Sequence, residues 1–184
     1  LKGNYKGTIT KTFTITAKSL TVPSSPTDKT YTGSVQTSRI TCPSGSTTGG
    51  TTSAIDAGTY TQTCTLSSTT NYKWSDNTTT AKSITWKIKA KEVSVSWGST
   101  TTFTYNGQPQ APTASATSGV TGETINVTRT TGTNAGSYTS TASISSVTGG
   151  RARKENYTLT GNTKAFTINK VAAGNPTLTA VTAT

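Results

Sequence analysis

The sequence lacks several residues that would define its chemistry. Its 184 residues include no histidine, no methionine, two cysteines and six acidic residues. An enzyme that uses an imidazole as base or metal ligand is therefore excluded. No apolar run approaches the roughly 18 residues of a membrane-spanning helix, so we expect no membrane span in this segment. Leu, Ile, Val and Phe total 26 residues, about 14% of the chain, which is below the ~20% at which a highly charged chain is suspected of disorder.

The chain is rich in hydroxyl groups and in positive charge. It contains 48 threonines and 22 serines, and its 17 basic residues give a net charge of +11. Threonine is β-branched, so it favours an extended backbone while its hydroxyl stays in water. A chain of this composition can therefore build β-strands with few apolar residues.

Short motifs recur in a fixed order, which argues against disorder. The segment Tyr31-Thr32-Gly33 recurs as Tyr105-Asn106-Gly107, and Asp56-Ala57-Gly58 recurs as Asn134-Ala135-Gly136. An Asn-Tyr pair follows each set and precedes a strand of the form aromatic-x-Ile. We expect the glycines at 58 and 136 to have a positive φ in a tight turn.

The order of these motifs predicts domain boundaries. Residues 18–89 form one full repeat and residues 90–169 form a second. Residues 1–17 are expected to be the C-terminal strands of an upstream repeat, and residues 170–184 a linker or the first strand of the next repeat. We therefore expect this chain to be a segment of a longer array, in which neighbouring repeats are its partners.

Apolar residues alternate with polar ones inside each repeat, as expected for half-buried strands. The clearest example is residues 84–89, where Ile84, Trp86 and Ile88 alternate with threonine and lysine. Residues 138–144 show the same alternation. The pattern predicts an all-β fold with about seven short strands in each repeat.

The motifs together resemble those of tandem bacterial immunoglobulin-like repeats of the MBG and YDG type. Residues 103–108 and 156–162 make the second repeat the closer match. The resemblance implies two tandem immunoglobulin-like β-sandwich domains in an elongated array, located outside the cell at its surface or wall. It also implies a structural stalk or spacer of an adhesin-like protein, with no cofactor and no catalytic machinery.

Two other functions stay open at this point. The segment could be a glycan- or host-ligand-binding module in which Trp74 and Trp97 stack on sugar rings. It could also be a tail or capsid decoration domain of a phage, since such domains use similar sandwiches.

The two cysteines predict a disulfide. Counting from the repeated motifs aligns Cys42 with Ala116 and Cys64 with Ala142. Both cysteines thus replace small residues at inward positions, as a bridge across a core requires. A Cys42–Cys64 bond would place the chain in an oxidising, extracellular compartment. The alternative is a pair of buried reduced thiols.

Positive charge is dense only at Arg151, Arg153 and Lys154, in an insertion that the first repeat lacks. We predict that this loop binds an acidic polymer, such as a wall or host glycan. A plain solvated loop is the alternative. Basic residues elsewhere are spread out without interleaved aromatics, so no specific nucleic-acid binding is expected.

The six acidic residues show no spacing typical of a catalytic carboxylate pair, and they form no cluster that would bind a metal. We therefore expect no enzymatic activity and no metal site. The six acidic residues are Asp28, Asp56, Asp76, Glu92, Glu123 and Glu155.

One reaction within the chain itself stays open, an isopeptide bond between Lys91 and Asn169 assisted by Glu92.

Overall fold

The computed structural model describes residue 3 and residues 7–174, and these residues form an all-β fold. Parts of the two predicted flanking segments, namely residues 1–2, 4–6 and 175–184, lie outside the described residues. The strands are β1 (Lys18–Leu20), β2 (Lys29–Thr30), β3 (Gln36–Thr37), β4 (Ser46–Gly50), β5 (Ser53–Ala54), β6 (Gly58–Leu66), β7 (Tyr72–Trp74), β8 (Lys82–Lys89), β9 (Lys91–Trp97), β10 (Thr102–Thr104), β11 (Ala114–Ala116), β12 (Thr124–Arg129), β13 (Gly136–Thr148), β14 (Tyr157–Thr160) and β15 (Thr163–Asn169). A single turn of 3-10 helix, Lys154–Asn156, precedes β14.

The chain divides into two compact units. Unit 1 comprises residues 1–28, 36–54 and 59–87, and unit 2 comprises residues 29–35, 55–58 and 88–184. Unit 2 is thus discontinuous in sequence, because it includes two short segments that the repeat pattern assigns to residues 18–89. The functional site described below depends on those two segments.

Unit 1 contains three sets of paired strands. Strand β1 pairs in parallel with β7, β3 pairs with β5, and β6 lies between β8 and β4. Its core joins Leu20, Leu66, Trp74 and Ile84 to Cys64. The indole N–H of Trp74 donates to the carbonyl of Thr80 at 2.8 Å, so this buried ring has no unpaired polar atom.

Unit 2 contains two sheets, in the order β10-β15-β13-β12 and β11-β9-β14. Phe166 and Ile168 on β15 are buried, and Phe103 meets Phe166 edge to face at 5.9 Å. Val93 on β9 supplies a buried residue from the other sheet. Two sheets that each bury one face fit a β-sandwich.

The alternation read from the sequence is confirmed by burial. On β8, Ile84, Trp86 and Ile88 are buried, whereas the residues between them are exposed. The expected positive φ at Gly58 and Gly136 is wrong. Positive φ occurs instead at Gly33 (79°) and Gly107 (75°), the glycines of the two Tyr-x-Gly motifs. The turn that needs glycine is therefore the one after the repeated tyrosine.

Residues 7–17 form no strand in the part of the chain that the structure describes. Their large apolar side chains, Ile9, Phe13 and Ile15, are 84–85% exposed. The equivalent residues Trp86 and Ile88 of β8 are buried. Assignment of residues 1–17 to an upstream repeat stays a prediction.

Candidate functional site

Cys42 and Cys64 form a disulfide, with their Cα atoms 5.5 Å apart. Cys64 lies on β6 and is fully buried within the core of unit 1. The disulfide predicted from the alignment with two alanines is therefore confirmed, and the alternative of two reduced thiols does not apply.

The two tryptophans proposed as glycan-stacking residues lie in different environments. Trp74 is 0% exposed, so it cannot stack on a sugar and that expectation is wrong. Its alignment with Leu159 was the signal for a core position, because Leu159 is an inward-facing residue of the repeat pattern. Trp97 is half-buried at the end of β9, and its indole N–H donates to the carbonyl of Gly161 at 2.8 Å.

The basic insertion binds a carboxylate within unit 2. Arg151 donates to both oxygens of Asp56, from Nη2 at 2.9 Å and from Nε at 3.2 Å. Arg153 donates from Nη1 at 3.2 Å, and Asn156 donates from Nδ2 at 3.0 Å. The side chain of Asp56 is only 14% exposed. Lys154, the third predicted cation, is exposed at the start of the 3-10 turn.

A second carboxylate is buried beside the first. Glu123 accepts hydrogen bonds from the hydroxyls of Tyr31 and Tyr157, each at 2.6 Å. The backbone N–H of Arg151 donates to it at 3.0 Å. The rings of Tyr31 and Tyr157 meet edge to face with centroids 5.5 Å apart. We name Tyr31, Asp56, Glu123, Arg151, Arg153, Asn156 and Tyr157 the carboxylate cluster.

Local structure fixes the positions of Tyr31, Asn156 and Glu123 in the carboxylate cluster. Tyr31 follows β2, and its backbone N–H donates to the carbonyl of Lys89 at 2.9 Å. Asn156 ends the 3-10 turn, fully buried, and its Oδ1 accepts the backbone N–H of Ala57 at 2.7 Å. Gly150 has a φ of 46°, and an added Cβ there would lie 2.9 Å from Cδ of Glu123. Glycine at 150 therefore gives Glu123 its room.

The hydrogen bonds fix the protonation states of the cluster. The hydrogen bond from Arg151 lowers the pKa of Asp56 to about 2. Burial would raise the pKa of Glu123, but the hydrogen bonds from Tyr157, Tyr31 and the Arg151 backbone outweigh burial and lower it. Burial, followed by the hydrogen bond to Glu123, raises the pKa of Tyr31 to about 12. The same two causes raise the pKa of Tyr157 above its usual range.

These pKa directions bear on what the cluster can do chemically. A general acid or base works best with a pKa near the working pH. Here the carboxylates stay ionised and the phenols stay protonated at neutral pH, so the cluster holds its protons rather than exchanging them. A recess lined by Thr32, Val120 and Glu123 adjoins the carboxylate cluster. Its volume of about 210 Å³ is smaller than the roughly 300–1,000 Å³ of typical ligand sites.

Sequence reasoning missed the carboxylate cluster. It took Asp56 and Asn156 only as parts of repeated motifs, and it counted Asp56 and Glu123 among six acidic residues with no functional spacing. One signal was present, because Asp56 replaces the neutral Asn134 of the other repeat and the basic insertion is found only at residues 151–154. An acid gained in one repeat and bases gained in the other are what a new ion pair requires.

No family model matches the sequence, and no match was found among curated proteins. Among the described residues, no group of three or more His, Cys, Asp or Glu side chains could hold a metal ion. Within the same residues there is no helix of the length and apolarity needed to cross a membrane. Lys91, considered for an isopeptide bond, donates from Nζ to the carbonyl of Gly119 at 3.0 Å.

Proposed function

We propose that this chain is a structural stalk or spacer built of immunoglobulin-like repeats, located in an extracellular and oxidising environment. Neighbouring repeats of the same polypeptide are its partners in this proposal. The observation that supports it is that two carboxylates and both cysteines are bonded to other groups of the same chain. The carboxylates Asp56 and Glu123 are bound by internal donors, and the cysteines are joined to each other.

The physical argument is that side chains already bonded to each other within the protein cannot also bind a ligand. A binding site keeps charged or aromatic groups available to a ligand, and a buried charge that is fully hydrogen-bonded inside the protein is not available. Two of the three charges of the basic insertion pair with Asp56. The disulfide supports the extracellular part of the proposal, because such bonds persist in oxidising compartments.

The test is a binding panel with the full chain against heparin, anionic wall polymers and a glycan array. A spacer is expected to show only weak retention that disappears as salt screens surface charge. Retention on one glycan that survives 0.5 M salt would contradict the proposal.

A glycan-binding module is the second candidate, and the half-buried Trp97 favours it. Its N–H donates to the carbonyl of Gly161 at 2.8 Å, so the ring has a defined orientation at the end of β9. The variant Trp97→Ala tests this function directly. If salt-resistant glycan binding exists and this variant abolishes it while Trp86→Phe does not, the binding module replaces the spacer.

A further inference from the structure

Two surfaces of unit 2 are built from equivalent residues of the repeat pattern. Tyr31 follows a strand that pairs in parallel with Ile88–Lys89, and Tyr105 follows one that pairs in parallel with Thr167–Asn169. The backbone N–H of Tyr31 donates to Lys89 at 2.9 Å, and that of Tyr105 donates to Asn169 at 2.9 Å. A glycine with positive φ follows two residues after each tyrosine. The two tyrosines therefore occupy the same structural position.

The two tyrosines differ in what covers them. Tyr31 is 1% exposed, because its hydroxyl meets Glu123 and its ring meets Tyr157. Tyr105 is 43% exposed, and Val171 beside it is 58% exposed. Tyr105, Ala135, Lys170 and Val171 line an open recess of about 350 Å³.

The neighbouring turn repeats the contrast. Asp56 is half-buried, because Asn156 and both arginines bond to it. Ala57 is half-buried as well, but so is its equivalent Ala135, so the contrast is confined to the first residue of the motif. Asn134, the equivalent of Asp56, is exposed. The surface around Tyr105 and Asn134 thus repeats the motifs and the tyrosine backbone hydrogen bond of the covered surface without its cover.

We propose that Tyr105, Asn134 and Ala135 form the docking surface for a following immunoglobulin-like repeat, which contributes a carboxylate to the Tyr105 hydroxyl and an aromatic ring that meets Tyr105 edge to face. The proposal rests on the proposed function, since it needs a tandem array. The occupant is a repeat like residues 90–169, because within unit 2 those residues supply Glu123, Asn156 and Tyr157 to the equivalent surface.

The same observations argue against a second free copy of this chain as the occupant. In such a copy Glu123 already accepts both Tyr31 and Tyr157 at 2.6 Å. The carboxylate also accepts the backbone N–H of Arg151, and Glu123 is only 8% exposed, so a phenol of another molecule could reach it only by displacing Tyr31 or Tyr157.

The test inserts a second copy of residues 90–169 after Asn169 of the full chain, with Tyr105→Phe in the inserted copy so that one Tyr105 is measured. Nitration of Tyr105 by tetranitromethane is compared with that in the original chain, and Tyr31 is the internal control. A phenol held as Tyr31 is, with a pKa of about 12 against 10.0 for an ordinary tyrosine, has about 100-fold less reactive phenolate at a given pH. We expect nitration of Tyr105 to fall by roughly 10- to 100-fold.

Two further variants make the result specific. Glu123→Ala in the inserted copy alone is expected to restore most of the nitration of Tyr105. Asn134→Asp in the original repeat introduces a carboxylate equivalent to Asp56, which Arg151 and Arg153 of the inserted copy could bind. It is therefore expected to raise the unfolding midpoint of the inserted copy and to leave that of the original chain, which has no inserted copy, unchanged.

Unchanged nitration of Tyr105 in the folded, extended chain would overturn the proposal. An inserted copy that does not fold would overturn it equally, since the same residues fold when they follow Lys89. Neither result depends on the glycan panel, so failure of the docking surface and failure of the spacer function are distinguishable.

Discussion

The buried hydrogen bond between Tyr31 and Glu123 provides the sharpest stability prediction, because the chain carries its own matched control. The variant Tyr31→Phe removes one hydroxyl that donates to a buried carboxylate at 2.6 Å. Hydrogen bonds to charged groups contribute about 1.5–3 kcal/mol, and we expect a loss of about 2 kcal/mol in the free energy of unfolding of unit 2. The equivalent variant Tyr105→Phe, at a 43% exposed residue, is expected to change it by less than about 0.5 kcal/mol.

The assay is urea unfolding followed by NMR amide signals of unit 2, so that unfolding of unit 1 is measured separately. With an m-value of about 1–2 kcal/mol per molar urea, the midpoint of unit 2 should fall by about 1–2 M in Tyr31→Phe. Unit 1 should keep its midpoint in both variants. Equal midpoints for Tyr31→Phe and Tyr105→Phe would refute the role assigned to Glu123.

Three further predictions concern other parts of the chain. Reduction of Cys42–Cys64, which closes a separation of 22 residues, should destabilise unit 1 by about 3 kcal/mol in denaturant unfolding, and an unchanged midpoint would contradict this. Asp56 has a pKa of about 2 in the folded chain against about 3.9 unfolded, so about 2 kcal/mol of stability is present above pH 4 and is lost as the pH falls towards 2. Acid unfolding of unit 2 should lose this pH dependence in Asp56→Asn, and an unchanged profile would show that the ion pair has no effect. Lys154→Ala should lower retention on heparin at low salt at least as much as Arg153→Ala does, because Arg153 is paired, and the reverse order would contradict the pairing.

Much of the fold was predictable because it depends on local pattern. The period-two alternation of residues 84–88 reflects the pleat of a strand, which places every second side chain on the same face. The alignment of Cys42 and Cys64 with alanines rests on equal spacing from the same motifs in the two repeats, and the two positions lie within disulfide reach.

The carboxylate cluster was not predictable in this way. Asp56 and Arg151 are 95 residues apart in the chain, and no periodicity links them. Trp74 was misjudged for a related reason, because the sequence gives no measure of the space left by neighbouring side chains. What brings such residues together is the tertiary arrangement of loops, in which a segment of one predicted repeat lies within the compact unit of the other.

The central claim, that this chain is a spacer whose distinctive side chains serve its structure, is tested most directly by pulling the full chain from its two ends. The disulfide keeps the segment between Cys42 and Cys64, a separation of 22 residues, from extending, because it holds their Cα atoms 5.5 Å apart. At ~3.4 Å per residue, the fully extended oxidised chain should therefore be about 70 Å shorter than the reduced one. We expect two unfolding events in the oxidised chain, with the event of unit 2 moving to lower force in Tyr31→Phe. A chain that extends without resolved unfolding events, or that shows the same forces in Tyr31→Phe, would contradict the account.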